Sequence, residues 1–442
     1  MKIKELRLHP IAVADGPLRS SYGRHAPYAL RTIVELISTD GLVGISETYG
    51  GDRPLAALEA ARPFIEGQDP FQFARLWQHF QRLARGVESG GDTTQTYLVP
   101  GENPLDQHTR TYAALEVACL DLIGQALKRP LCDLVGGRAR EAAPFSAYLF
   151  YKDGGGGGLG DDAREDKYGE CLDGESIVRQ CRMFIDEYGF REIKLKGGVL
   201  DPEIEMDTIR RLRAAFGPQA DGKTPPLRID PNCAWSVETS VKVGEGLRQE
   251  LSDGGYLEDP CATLEGMAEV RRRLQAKGIE MEFASNVAVT TFSDVLKARD
   301  LEAVQIVLSD PHYWGGIRFQ QRLSNLCEVT GRGLSMHSNN HVGVSMMIMA
   351  HAAASSPHLT HACDTHYPWQ TEEDEVIEGG RVKFVNGTVP IPDRPGLGVR
   401  LDYDRVARLT ERYHRLPYKK RDDEAQMQKH VDPNWKRVLP RW

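Results

Sequence analysis

The feature that most constrains the fold of this chain is a series of seven short apolar runs, each ending in polar residues. The runs occupy residues 193–198, 227–232, 256–260, 282–286, 304–310, 333–340 and 361–366. Within the first six, the polar residues Lys196, Asp230, Glu258, Asn286, Asp310 and His337 follow one another at intervals of 34, 28, 28, 24 and 27 residues. Because one βα unit takes about 30 residues, this spacing predicts an α/β barrel with its active site at the strand ends. An open doubly wound sheet is the alternative, but its polar residues would gather at one switch point.

The first 138 residues show a different pattern, in which strands are followed by helices. Ile3–Val13 alternates between apolar and polar residues, and Leu30–Ser38 is rich in β-branched residues. Residues 54–86 and 111–125 carry the apolar face of amphipathic helices, whereas residues 87–107 are polar and rich in glycine. Strands followed by helices predict an α+β domain ahead of the barrel.

Composition and charge exclude several functions and locations. The chain has 55 Lys and Arg against 63 Asp and Glu, a net charge of −8, so it has no general attraction for nucleic acid or anionic membranes. It has no apolar run near the roughly 18 residues that span a bilayer, and its start lacks a signal peptide, so we expect a cytoplasmic protein. The eight cysteines form no C-x-x-C motif and are expected to be buried thiols. The composition of the glycine tract at 153–162 predicts a flexible surface loop. A phosphate-binding loop is the alternative, but no P-loop lysine follows the tract.

Lys194 and Lys196 are two positions apart on a predicted strand, so both side chains point to the same face. In a barrel that face is the lumen, where two ammonium groups depress each other's pKa and one becomes a candidate base. A solvated edge strand, on which lysine is common, explains this pair equally well when it is taken alone.

Asp230, Glu258 and Asn286 end three consecutive predicted strands. Two carboxylates and an amide oxygen, with positions left for water and substrate, suit Mg²⁺, a hard cation that prefers oxygen ligands. The set contains no Cys or His, which disfavours Zn²⁺. For any one of these residues a helix cap is the commoner explanation. Three successive strand ends favour the metal site.

Asp310 and His337 end adjacent predicted strands. A carboxylate bonded to one imidazole nitrogen fixes the tautomer and strengthens the other nitrogen as a base, whereas a buried structural histidine is the alternative. Lys196 and His337 lie on strands far apart in the order, so we expect them to face a substrate from opposite sides. Two such bases around a divalent cation suit abstraction of a proton α to a carboxylate, because the metal stabilises the enediolate.

These motifs resemble the enolase superfamily, whose sites use a Lys or His base with Mg²⁺, and within it the D-glucarate dehydratase branch. The resemblance rests on Lys194-Leu-Lys196-Gly-Gly, Asp230-Pro-Asn232, Glu258-Asp-Pro, Asp310-Pro-His-Tyr-Trp314 and, most specifically, His337-Ser-Asn-Asn-His341. It covers nearly the whole chain. It implies a modified TIM (β/α) barrel at residues 139–395 as the catalytic domain. An α+β capping domain, formed by residues 1–138 and the C-terminal tail 396–442, would lie over this barrel. The resemblance also implies a homo-oligomer.

The resemblance also implies roles for individual residues. Lys196 and His337 would be the two bases, with Asp310 supporting His337. Asp230, Glu258 and Asn286 would hold Mg²⁺, and Lys194 would contact the carboxylate that the metal binds. The implied substrate contacts are His25, Thr96, Tyr148, Lys194, Asn232, Asn286, Ser338, Asn339, His366 and Arg421. The fork of Arg421 suits a distal carboxylate, although a surface arginine in a basic run is the alternative.

The implied activity is dehydration of a small diacid sugar, with D-glucarate giving 5-keto-4-deoxy-D-glucarate by loss of the α-proton and the β-hydroxyl. The sequence departs from the family pattern at Val342-Gly343-Val344 and in the loops 92–107 and 153–162. Such loops set specificity on this side of a barrel. Two alternatives therefore stay open: another diacid such as galactarate, or a catalytically weak paralogue that binds an acid sugar.

Overall fold

The computed structural model describes residues 1–85, 106–218 and 222–442. Thr96 and nearly all of the predicted loop 87–107 lie outside the described residues. The strands are β1 Ile3–Ala14, β2 Arg19–Ser20, β3 Gly23–Arg24, β4 Tyr28–Ser38, β5 Val43–Tyr49, β6 Ala142–Pro144, β7 Ala147–Phe150, β8 Ile193–Lys196, β9 Leu227–Asp230, β10 Tyr256–Glu258, β11 Glu282–Ser285, β12 Ile306–Ser309, β13 Gly333–Met336 and β14 Thr388–Pro390. The helices are α1 Asp52–Ile65, α2 Phe73–Arg85, α3 Asp106–Leu127, α4 Gly174–Tyr188, α5 Pro202–Ala215, α6 Val237–Gly246, α7 Leu264–Gln275, α8 Phe292–Asp300, α9 Ile317–Thr330, α10 Gly343–Ala354, α11 Tyr403–Arg415 and α12 Asp423–His430.

The second half of the chain forms a curled parallel sheet of seven strands in the order β7 to β13, which is also the chain order. A helix follows each strand from β7 to β13, beginning with α4 after β7. Every neighbouring pair is parallel, so all the strand ends that carry polar residues meet at one edge. Six of the seven predicted runs are strands of this sheet, and the predicted barrel fold is confirmed.

The seventh predicted run, residues 361–366, is not a strand, and β7 takes the seventh place in the sheet instead. This segment crosses between the two ends of the sheet. On one side the Asp364 N–H donates to the Met336 carbonyl at 2.8 Å, and on the other the Ser146 N–H donates to the Cys363 carbonyl at 2.9 Å. The pairing of this segment with the residues before β7 is an isolated parallel bridge between Phe145 and Cys363, so the segment is not a strand of the sheet.

The N-terminal residues form the predicted α+β capping domain, called the cap below. Its antiparallel sheet has the order β1-β4-β5, and the β4–β5 turn contains Gly41, whose φ of 81° suits glycine. The predicted helical stretch 54–86 is two helices, α1 and α2, separated at Gly67. The C-terminal tail returns to this sheet, where buried Arg412 of α11 donates to the Ala12 carbonyl at 3.1 Å.

The inside of the barrel is polar near the C-terminal ends of its strands. The outer face of the barrel is apolar. On β8, Ile193 and Leu195 pack in the main hydrophobic core, whereas Lys194 and Lys196 point into the barrel, as predicted. All eight cysteines are buried and free, which confirms the prediction of thiols without disulfides. Among the described residues, no helix combines the length and the apolar character needed to cross a membrane.

Candidate active site

A cavity of about 590 Å³ opens between the cap and the C-terminal ends of the barrel strands. Both predicted bases, Lys196 and His337, line it. Seven of the ten predicted substrate contacts line it as well: His25, Tyr148, Asn232, Ser338, Asn339, His366 and Arg421. Of the other three, Thr96 lies outside the described residues, and Lys194 and Asn286 are fully buried below the cavity floor.

Below the floor, two lysines and three carboxylates form a buried cluster. Lys194 Nζ lies 2.6 Å from Asp364 Oδ2 and 2.7 Å from Glu258 Oε2, and Lys196 Nζ lies 2.6 Å from Asp230 Oδ2. Burial alone would lower the pKa of Lys194, but Asp364 and Glu258 outweigh it and raise that pKa well above its usual value. The prediction that neighbouring ammonium groups depress each other's pKa is therefore wrong for Lys194.

Asp364 is a member of this cluster that sequence reasoning did not select. It lies in the irregular segment that crosses between β13 and β7, and it is fully buried. Its place beside Lys194 depends on how that segment crosses the barrel, which no local pattern predicts. The available signal was an acidic residue in the seventh apolar run, next to Thr365 and His366.

The predicted metal ligands Asp230, Glu258 and Asn286 end neighbouring strands and converge in this buried cluster. Burial and the negative charge of Asp230 raise the pKa of Glu258 well above its usual value, so the cluster holds more negative charge than Lys194 alone relieves. Among the described residues, Glu258 Oε2 makes no well-directed hydrogen bond, although Lys194 Nζ lies 2.7 Å from it. These hard oxygen donors fit a divalent cation such as Mg²⁺. No group of three His, Cys, Asp or Glu side chains within the described ranges has metal-binding geometry, so the set depends on the amide of Asn286.

The Asn286 amide is held against two carboxylates. When the amide nitrogen is turned toward the carboxylates as a donor, this nitrogen lies 3.0 Å from Asp259 Oδ2 and 3.2 Å from Glu258 Oε1. The reverse orientation would place the amide oxygen against both acceptors, which a cation between the oxygens would stabilise. Asp259, which sequence reasoning did not select, fixes this loop by accepting the Asn286 N–H at 3.0 Å and the Ser285 hydroxyl at 2.5 Å.

The predicted Asp310–His337 pair is present, with Asp310 Oδ2 3.2 Å from His337 Nδ1. This contact leaves His337 Nε2 for the cavity. A second histidine that sequence reasoning did not select, His312, approaches the other carboxylate oxygen, with its Nδ1 2.6 Å from Asp310 Oδ1. Burial raises the pKa of Asp310, but the two histidines lower it by more, so the net pKa is below its usual value and the carboxylate stays ionised.

The cap contacts Asp310 and Asn339 directly through Tyr49 of β5. Its hydroxyl donates to Asp310 Oδ2 at 3.4 Å and accepts from Asn339 Nδ2 at 3.2 Å. Burial and the charge of Asp310 raise the pKa of Tyr49, so the hydroxyl keeps its proton. The guanidinium of Arg110 lies 4.2 Å from the centre of the Tyr49 ring. The cap therefore reaches the same carboxylate that contacts His337.

Two further cap carboxylates hold the loop that follows His337. Asp15 accepts from Asn340 Nδ2 at 2.8 Å and contacts His25 Nδ1 at 3.0 Å. Glu47 accepts the backbone N–H groups of Val342 at 3.1 Å and Ser345 at 2.8 Å, at the start of α10. A carboxylate at a helix N-terminus satisfies donors that would otherwise be unpaired. Cap docking and the position of the His337 loop are thus linked.

The glycine tract that was predicted as a flexible surface loop packs closely against Asp15 of the cap, where the cap meets the barrel. Gly157 has a φ of 89°, and a Cβ on it would lie 2.3 Å from the Asp15 carbonyl oxygen. Only glycine allows both this backbone angle and this approach. Nearby, Asp153 pairs with Arg19 and lies 2.7 Å from Arg24.

Two cavity residues have uncharged polar groups suited to the hydroxyl groups of a ligand. Burial, together with nearby cations and histidines, lowers the pKa of His366 well below its usual value, so this imidazole is neutral. Its Nδ1 lies 3.3 Å from the Ser338 hydroxyl. Asn232, which is 1% exposed with a φ of 44°, has no hydrogen-bond partner for its Oδ1 within the described part of the chain.

Comparison with known proteins gives one consistent result. Residues 6–136 match the family model described as mandelate racemase / muconate lactonizing enzyme, N-terminal domain, and residues 176–406 match enolase C-terminal domain-like. A probable glucarate dehydratase of Streptomyces coelicolor is 42% identical over all of this chain and 99% of its own length.

Solved structures agree with this result. A crystal structure described as an enolase from Pseudomonas fluorescens, with bound magnesium, potassium and tartrate, has a TM-score of 0.91 and 41% identity, covering 100% of this chain and 99% of its own. Another from Mycobacterium smegmatis, complexed with tartrate, has a TM-score of 0.87 and 43% identity, covering 100% and 98%.

Proposed function

Because the chain belongs to the enolase superfamily, we propose that it is a Mg²⁺-dependent acid-sugar dehydratase that converts D-glucarate to 5-keto-4-deoxy-D-glucarate. The observation that carries this proposal is one cavity lined by two candidate bases, Lys196 and His337, above a buried cluster of oxygen ligands. The probable glucarate dehydratase that is similar over its full length supports the choice of substrate.

The charge of the cavity supports an anionic ligand with two carboxylates. The chain carries a net charge of −8, yet cations outnumber carboxylates among the described residues that line the cavity. Lys196 lies on the floor, whereas Arg421 and Lys420 of the tail line another part of the wall. A diacid would place one carboxylate near the floor and the other near this tail. Arg421 now pairs with Asp423 at 2.7 Å, so a bound carboxylate would compete with that partner.

Asp230, Glu258 and Asn286 are proposed to hold Mg²⁺, and Lys194 to balance the charge beside it. Bound Mg²⁺ would stabilise negative charge on the substrate carboxylate as the α-proton leaves. The protein residues supply the remaining chemistry. Asn232 offers its unpaired Oδ1 to a substrate hydroxyl, and His366 can accept or donate a hydrogen bond without adding charge.

Two proton transfers complete the proposed reaction. Lys196 Nζ or His337 Nε2 removes the α-proton, depending on the configuration of the substrate at that carbon. The β-hydroxyl then leaves as water with a proton from His337 Nε2, and the enol product tautomerises to the ketone. Four strands separate β8, which carries Lys196, from β13, which precedes His337, so the two bases approach the substrate from different directions. Such a pair could also interconvert glucarate and its epimer idarate.

The test is incubation of the purified protein with Mg²⁺ and a panel of aldarates that includes glucarate, idarate and galactarate. Aldonates, which lack the second carboxylate, are the matched control for the diacid requirement. We expect turnover of glucarate and at least tenfold slower turnover of the monoacids. Turnover of galactarate alone would replace the proposed substrate, and binding of diacids without any turnover would favour a catalytically weak paralogue.

A further inference from the structure

The carboxylate of Asp310 has four partners, and His337 is not the closest of them. On Oδ1, His312 contributes both its ring Nδ1 at 2.6 Å and its backbone N–H at 2.8 Å. On Oδ2, His337 Nδ1 lies at 3.2 Å and the Tyr49 hydroxyl at 3.4 Å. The two shorter bonds are therefore on the oxygen that does not face His337.

His312 is itself held in place from its other side. Its Nε2 lies 2.7 Å from the Ser345 hydroxyl, and the ring is buried. Ser345 lies in the first turn of α10, where its backbone N–H donates to Glu47 of the cap. A neutral imidazole that donates from Nδ1 to Asp310 and accepts at Nε2 from Ser345 satisfies both partners. The ring is thus fixed at both nitrogens.

This arrangement determines where Asp310 points. A carboxylate held by one hydrogen bond can rotate about its Cβ–Cγ bond, because that torsion is broad. Two bonds from His312 to Oδ1 fix the plane of the group and leave Oδ2 directed toward His337. The carboxylate can then keep the proton on His337 Nδ1 and the reactive Nε2 toward the cavity.

We propose that His312 is a positioning residue, which orients Asp310 and through it the base His337. This inference rests on the proposed function, because it assumes that His337 transfers a proton to or from an acid sugar. It predicts that changes at His312 damage the steps that use His337 and leave those that use Lys196 almost intact.

The experiment compares proton exchange by the two bases in the full-length protein with Mg²⁺ in D₂O. Glucarate and idarate differ at one α-carbon, so each presents its proton to one base. Loss of exchange in His337→Asn and in Lys196→Ala assigns each epimer to its base. His312→Leu removes the ring donor to Asp310 and keeps the backbone N–H, whereas His312→Asn restores an N–H near the position of Nδ1.

We expect His312→Leu to slow His337-dependent exchange at least tenfold and Lys196-dependent exchange less than twofold, and His312→Asn to recover most of the loss. If His312→Leu does not fold, His312→Gln serves instead, since its amide reaches toward the Nε2 position. His358→Leu is the matched control, because this histidine bonds the Arg332 carbonyl at 2.8 Å and does not line the cavity.

Equal loss in both exchange rates, or no loss in either, would overturn the inference. Equal losses in His312→Asn and His312→Leu would also overturn it, because the restored donor would then have no effect. Absence of exchange in the wild-type protein with every diacid would instead refute the proposed function. The two failures are therefore distinguishable in one set of samples.

Discussion

The joint between the cap and the barrel depends on one buried carboxylate, and replacing Glu47 with Gln tests its contribution. Glu47 is 1% exposed and accepts from Arg31 Nε at 2.8 Å and from the backbone N–H groups of Val342 and Ser345. Glutamine keeps the size and one acceptor oxygen but removes the charge. Arg31, which is 3% exposed, would then keep its charge in the interior without its carboxylate partner.

The expected cost follows from this burial. Breaking a buried ion pair by removing one charge costs about 3–5 kcal/mol, because the other charge stays buried. Loss of the carboxylate from the N-terminus of α10 adds at most about 1–2 kcal/mol. We therefore expect Glu47→Gln to lower the free energy of unfolding by about 3–7 kcal/mol. The matched control is Glu203→Gln, since Glu203 pairs with Lys242 at 2.5 Å on the surface and such pairs contribute about 0–1 kcal/mol.

Urea unfolding of the Mg²⁺-free protein, followed by circular dichroism, measures both variants. Adding Arg31→Met to Glu47→Gln should recover at least half of the lost free energy of unfolding, because the second change removes the buried guanidinium that has lost its carboxylate partner. A Glu47→Gln variant within about 1 kcal/mol of the wild type would show that Glu47 and Arg31 are not a buried ion pair that stabilises the fold. So would a double variant less stable than the single one.

Four further predictions concern the site and the fold. Asn286→Leu should weaken Mg²⁺ binding at least about tenfold in a calorimetric titration while changing urea unfolding little, and equal loss of both would contradict its role as a ligand. His337→Asn should abolish dehydration yet leave α-proton exchange by Lys196 in D₂O, so retained dehydration would exclude His337 as the acid. Lys196→Ala should slow the proton transfer it performs by about 10²–10⁴-fold, and an unchanged rate with either epimer would remove its role. Burial lowers the pKa of His351 from 6.5 to about 4, so stability should be complete above about pH 6.5 and fall by about 3 kcal/mol as the pH drops to 4. His351→Gln should remove that part of the pH dependence, and an unchanged slope in urea unfolding from pH 7 to 4 would contradict it.

The barrel was predictable because its information is local and repeated. Each strand from β8 to β13 is a short buried run bounded by polar residues, and the interval between runs fits one helix. The closing segment at residues 361–366 was predicted as a strand and instead forms an isolated parallel bridge, between Phe145 and Cys363. Apolar patterning cannot distinguish a regular ladder from such a crossing.

Within the site, residues at strand ends were predictable and residues that act through docking were not. Asp230, Glu258 and Asn286 follow directly from their strands. Tyr49, by contrast, reaches Asp310 only because the cap sheet lies over the barrel. No spacing within the cap indicates that contact.

His312 shows the same limit over a shorter distance. It lies two residues after Asp310, where an extended strand would point both side chains the same way without contact. The chain instead turns after β12, so that the ring and the backbone N–H both return to Asp310 Oδ1. The sequence motif contained the residue but did not indicate this geometry.

In the proposed reaction, two bases in one cavity remove an α-proton from an acid sugar and eliminate its β-hydroxyl. The most direct measurement is proton NMR of the protein with Mg²⁺ and a panel of hexarates in D₂O. We predict that glucarate loses its α-proton signal and that a new signal from the deoxy carbon next to the ketone appears. Loss of the α-proton signal without that product would contradict the dehydration, and no change with any diacid would contradict the whole account.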